Sequence, residues 1–148
     1  MSANRDNSTR TKARKRALDI LYEAELRETG PADTLADRVA AAQPPVRPFT
    51  IELVTGVAER AAELDAVLAA ALSEGWTIAR MPAVDRNLAR IAIFELAHTD
   101  TPTRVVVNEA VDLAAEFSTE NSPAFLNAVL DAAATRLAAS APDTPPQP

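Results

Sequence analysis

Val84-Asp85-Arg86-Asn87-Leu88-Ala89-Arg90-Ile91-Ala92-Ile93-Phe94-Glu95-Leu96-Ala97-His98 decides the fold class. Its apolar residues, Val84, Leu88, Ile91, Ala92, Ile93, Phe94 and Leu96, lie nearly all round a helical wheel. A helix of that kind is surrounded by other elements, so this one is expected at the centre of the second half of the chain. Glu95 projects near the apolar centre. A carboxylate there needs a partner, because unpaired it costs several kcal/mol or takes up a proton. Asn108 and Asn127, on the helices that follow, are the expected partners, and the group is read as architecture together with Glu109.

Working outward, the remaining segments also follow a helical period. Thr103–Phe117 packs through Val106 or Val107, Ala110, Val111, Ala114 and Phe117. Ser122-Pro123 is an N-cap followed by proline at the first helical position, and opens a helix carrying Leu126, Val129, Leu130, Ala133 and Leu137. Upstream, Arg14–Arg27 clusters Ala17, Leu18, Ile20, Leu21 and Ala24 on one face, and Gly30-Pro31 ends it. A short helix over Asp33–Ala42 is stopped by Pro44-Pro45. A long one is expected from Pro48 to about Ser73, which Gly56 interrupts only mildly. Gly75-Trp76 begins a linker closing at Met81-Pro82. Strand signals are absent. The reading is all-α, with six main helices, three before the Trp76 linker and three after.

Composition narrows the function. The 148 residues suffice for one domain with a real core, and no apolar run approaches the roughly 18–20 residues of a membrane helix. The basic start lacks the apolar stretch of a secretory signal, so a cytoplasmic protein is expected. With no cysteine, disulfides, thiolate metal sites and cysteine nucleophiles are excluded. One histidine, His98, allows no His-pair metal site, and it is read as a cap on a helix C-terminus. Three scattered glycines cannot build a phosphate-cradling loop. Neither an enzyme nor a cofactor nor a metal is expected.

Charge is polarised. Residues 1–16 hold Arg5, Arg10, Lys12, Arg14, Lys15 and Arg16 against Asp6, a net +5, whereas the remaining 132 residues carry −11. A basic arm on an acidic body attracts polyanions at one place. Tyr22 falls on the same side of its helix as Lys15, about 100° from the apolar centre. Phe125 is similarly displaced from the Leu126/Leu130/Leu137 line. Tyr22 also fits a half-covered boundary residue, and Phe125 a staple against the preceding loop. Rim aromatics beside cations are what single-stranded RNA requires, since bases stack on rings while Lys and Arg hold phosphates.

Three stretches carry a family likeness. Ala13–Leu26, Val84–Leu96 and above all Val107-Asn108-Glu109-Ala110-Val111-Asp112-Leu113-Ala114, with Ser122–Asp131 after a short loop, resemble the NusB family of transcription antitermination factors. Order and spacing fit from about residue 13 to 137. Ala128 stands where the family usually has glycine, which touches only how closely a helix packs there. The resemblance implies two packed three-helix bundles and a non-enzymatic role. It implies pairing with NusE, a small-subunit ribosomal protein, on single-stranded boxA RNA of nascent ribosomal RNA, within the antitermination complex of RNA polymerase. Carried over, the RNA surface comprises Arg10, Lys12, Arg14, Lys15, Arg16, Tyr22 and Phe125, with Asn121 and Ser122. Asp85 falls on the NusE-facing side, although an acid there also simply complements a helix dipole.

The expected organisation is a flexible basic arm over 1–13, one helical domain over 14–140 with subdomains of about 14–75 and 76–140, and a disordered Pro-rich tail over 141–148. Two rivals share these features. One is a helical protein–protein interaction module with an incidental arm. The other is the NusB-like domain that precedes the catalytic domain of certain ribosomal-RNA cytosine methyltransferases, which the Pro-rich ending disfavours.

Overall fold

The computed structural model describes residues 2–41 and 45–140, with the backbone alone for residues 2–8. The tail expected over 141–148 and Pro44, expected to stop a helix, lie outside them. Among the described residues there are seven α-helices, one short 3-10 turn and no strand. The helices are α1 (Ser2–Arg27), α2 (Pro31–Ala41), α3 (Pro48–Glu59), α4 (Ala61–Ala71), α5 (Ala83–His98), α6 (Thr103–Phe117) and α7 (Ser122–Ser140). The turn Ile78–Arg80 lies between α4 and α5.

α5 packs against α1, α3, α4, α6 and α7, the central place its all-round apolarity predicts. Leu88, Ile91, Ile93 and Phe94 on this helix join Leu18, Ile20, Leu53, Leu64, Val106, Leu126 and Leu130 in one buried cluster drawn from both halves of the chain. Ala128 is exposed, so no helix presses on it.

Three features depart from the periodicity. First, α1 begins at Ser2 rather than near Arg14, so the segment expected as a flexible arm is helical. Nothing between Ser2 and Arg16 breaks a helix, and its inner part is docked: Ala13 is fully buried and its carbonyl accepts a 2.9 Å hydrogen bond from Thr50 Oγ1. Second, α1 ends in a turn where Thr29 N–H reaches back to the Ala24 carbonyl, and Glu28, not Gly30, adopts the left-handed conformation at φ 55°.

Third, the long helix expected over 48–73 is two helices. The chain kinks at Arg60, where φ is −114° and ψ 21°. α3 buries Leu53, Val54 and Val57 among α1, α2 and α5, whereas α4 turns Leu64 and Leu68 toward α5 and α7. Neither proline nor glycine marks the break. The apolar spacing from Val57 to Leu64 continues through it, so periodicity could not reveal it.

Gly56 is more than a mild interruption. A Cβ at this position would overlap the Phe94 ring, so glycine lets α3 approach α5. Gly56→Ala should therefore destabilise the fold by about 1–3 kcal/mol despite alanine's better helix propensity. Urea denaturation checks this, and an alanine variant as stable as the parent would refute the close approach.

Candidate nucleic-acid interface

Successive residues on a helix point 100° apart, so Arg14, Lys15 and Arg16 face three directions. Arg14 faces inward, with 2% of its surface exposed. Its Nε donates to Glu95 Oε2 and its Nη2 to Glu95 Oε1, both at 2.8 Å. Glu109 Oε1 lies 3.6 Å from Arg14 Nη1 and accepts a 2.7 Å hydrogen bond from Thr11 Oγ1. Burial alone would lower the guanidinium pKa; the hydrogen bonds and charge of Glu95, then the charge of Glu109, outweigh it and raise the pKa above the ordinary value. Arg14 thus cannot serve as the RNA contact expected from the sequence, because its donors are engaged inside the protein. Glu95 is buried as expected, but its partner is Arg14. Asn108 and Asn127 are both exposed.

Arg10, Lys12, Lys15 and Arg16 of α1 lie nearer the surface. Lys12 and Lys15 are exposed, and Arg16 is half-buried. Lys15 Nζ lies 4.8 Å from the centre of the Phe117 ring and 3.6 Å from Glu116 Oε1. Arg10 lies over Phe49, 4.5 Å from its ring centre, with Nη1 3.5 Å from Thr101 Oγ1. Asp19 interrupts this face, and burial foremost raises its pKa although Lys15 and Arg16 pull it down. Tyr22, 37% exposed, stands two turns along from Lys15.

A second group lies at the start of α7. Phe125 is half-buried, and its ring meets Trp76 at 5.2 Å with a 48° tilt. Trp76 is 42% exposed, and the Arg80 guanidinium lies 5.2 Å over its ring. The sequence offers no periodicity in this linker by which Trp76 could have been placed beside Phe125. Asn121 is exposed, but Ser122 is not, at 1%.

Ser122 Oγ donates to Asp85 Oδ2 at 2.8 Å, and Ser118 Oγ donates to Asp85 Oδ1 at 2.5 Å. Asp85 itself is 2% exposed. Neither the Ser122 assignment to RNA nor the Asp85 assignment to a partner-facing rim survives this geometry. The carboxylate is a buried tie between the first turn of α5 and the turn joining α6 to α7. His98 closes α5 and pairs with Glu63, Nε2 to Oε1 at 2.9 Å, a hydrogen bond that holds the Glu63 carboxyl below its usual range. No cluster of His, Asp and Glu among the described residues could hold a metal ion.

The chain has counterparts among known proteins in both sequence and fold. The NusB family model matches residues 11–135. The chain belongs to the NusB family. Transcription antitermination protein NusB of Acidothermus cellulolyticus is 49% identical over 93% of this chain and 97% of its own length. That of Cutibacterium acnes is 54% identical over 95% of this chain, which spans 54% of the longer relative. Among solved structures, T. maritima NusB superposes with a TM-score of 0.76 at 27% identity, covering 85% of this chain and 90% of that one. A chain from the crystal structure of antitermination factors NusB and NusE in complex with dsRNA gives 0.72 at 26% identity, covering 86% and 96%.

In this NusB-family chain the two inward carboxylates are structural. Arg14→Ala strands Glu95 in the core and should cost about 3–5 kcal/mol, whereas Arg16→Ala should stay within about 0.5 kcal/mol. Chemical denaturation of the two variants distinguishes them, and equal stability would overturn the buried pair. Asp85→Lys should likewise disrupt folding, visible as lost helical circular dichroism, instead of merely reversing a surface charge.

Proposed function

We propose that this NusB-family protein is a cytoplasmic, non-enzymatic transcription antitermination factor. It binds single-stranded boxA-type RNA in nascent ribosomal RNA together with NusE, and promotes read-through by RNA polymerase. The observation that carries the RNA reading is the outward row of Lys12, Lys15 and Arg16, continued by Tyr22, on one face of α1 in a chain of net charge −6. Arg10 extends it toward the start of the helix, preoriented by the Phe49 ring. Phosphates bind the cations, and Tyr22 and the Trp76–Phe125 pair offer rings for bases.

The NusE partnership is supported by likeness to the NusB chain found with NusE, and by the negative balance of the body, which suits a basic partner. Asp85 plays no direct part in it. No helix among the described residues is long and apolar enough to cross a membrane, which accords with the cytoplasmic reading.

The test is a gel shift with boxA RNA, with and without NusE, over a range of salt. If Arg10, Lys12, Lys15 and Arg16 neutralise four phosphates, affinity should fall about 50-fold from 50 to 200 mM salt, from a slope of roughly −0.7 per contact. The triple substitution Lys12→Ala, Lys15→Ala, Arg16→Ala should remove most binding while preserving the circular-dichroism melt. A triple variant that holds the RNA at full strength would sink the proposal. A parent protein that binds NusE but no RNA would favour a pure interaction module.

A further inference from the structure

A groove of about 320 Å³ runs between α1 and the segment that leads into α3. Lys12, Lys15 and Arg16 line one wall, and Arg47 stands on the other. Asp19 is the acid among its lining residues. The walls are held at a fixed spacing, because Thr50 Oγ1 in the first turn of α3 donates to the Ala13 carbonyl of α1. The groove is thus a built feature of the helix packing.

Arg47 has no ion pair or hydrogen bond from its side chain among the described residues, and the same holds for Lys12 and Arg16. Elsewhere Arg38, Arg60, Arg86 and Arg90 each have a carboxylate partner. Like charges facing one another across a narrow groove repel, and an anion between them turns that repulsion into attraction. Arg47 also lines a second, larger groove of about 1150 Å³, into which Arg10 projects from its seat on Phe49. It therefore stands on the ridge between two grooves, with cations on both sides. Glu52 and Asp100 line the larger groove, so the smaller one is the stronger anion site.

We infer that Arg47 is an RNA-phosphate ligand, forming with Lys12 and Arg16 a two-walled groove for the backbone of a single strand. This rests on the RNA-binding reading and extends its surface from α1 onto the start of α3. The extended series of charges, from Arg16 over Arg47 to Arg10, fits a polyanion better than a lone ion. The smaller groove offers no aromatic ring, and the Phe49 ring in the larger one carries Arg10, so the contact is to phosphate and not to a base.

Fluorescence anisotropy on the full chain tests this, using a boxA RNA and a scrambled single strand of equal length at 50–200 mM salt. Arg47→Ala should weaken both RNAs about tenfold, the scale of one charge-assisted hydrogen bond. It should also reduce the salt slope by about 0.7. Arg47→Lys should restore most of the affinity, and the melting temperature of both should match the parent because no internal partner is lost. Lys15→Ala is run alongside. If Lys15→Ala weakens RNA and Arg47→Ala does not, the two-walled groove is wrong while the RNA reading stands. If the parent itself fails to bind either RNA, the RNA reading falls. A loss confined to boxA with an unchanged slope would make Arg47 a base reader and overturn the phosphate assignment.

Discussion

The bidentate pair between Arg14 and Glu95 links residues 81 apart in sequence, and it sets how α1 lies on the rest of the molecule. Removing two such charges from water costs several kcal/mol per ion, so a buried pair adds little net stability over an apolar substitute. What it adds is orientation. A rotation of α1 by one residue would bring Lys15 or Ala13 opposite the Glu95 carboxylate, leaving a buried charge without its fork-shaped partner. With Arg14 locked inward, Lys12, Lys15, Arg16 and Tyr22 have to project away from the core. The basic face exists because one member of the basic cluster is not on it.

A second tie keeps α1 from swinging about that point. Glu25, near the other end of the helix, accepts a 2.8 Å hydrogen bond from Asn87 Nδ2 and pairs with Arg86. Residue 14 meeting 95 and residue 25 meeting 87 make α1 and α5 antiparallel and fasten the second half of α1 along the length of α5. At the start of α5, two residues before Asn87, Asp85 fastens Ser118 and Ser122. That knot positions the first turn of α7, and with it Phe125 against Trp76. One central helix thus fixes both the cationic face and the aromatic pair, through polar residues at its two ends.

The sequence makes the apolar architecture legible and the polar pairing much less so. α6 runs over Thr103–Phe117 as its period predicts, and α5 is central because its apolar residues leave no solvent face to speak of. The kink at Arg60 is silent because apolar spacing survives it. Gly56 looks tolerable in one helix; only the partner helix shows that Phe94 occupies the space of its missing side chain. Glu95 announces its burial by its wheel position, yet its partner comes from another helix, and an arginine within a basic run reads as surface. Arg14, Ser122 and Asp85 lie inside although the sequence points them outward, for this one reason: charge and hydroxyl groups signal function and internal pairing alike. Trp76 and Arg47 lie outside any helical period, where neighbours are set by tertiary packing alone.

Net charge is a poor guide to where this acidic chain meets RNA, because many of its charges are already answered locally. Glu23 pairs with Arg38, Asp65 with Arg90 at 2.8 Å, and Glu63 with both Arg60 and His98. Such pairs present little field beyond their own dimensions. Unpaired acids elsewhere on the body are screened over a Debye length of about 8 Å at physiological ionic strength. A strand approaching α1 therefore encounters Lys12, Arg16 and Arg47, whose side chains form no ion pair among the described residues and face Asp19 as the one acid lining their groove, and not the average of the molecule. The same screening lets the body keep its negative excess for a basic partner without weakening the RNA face.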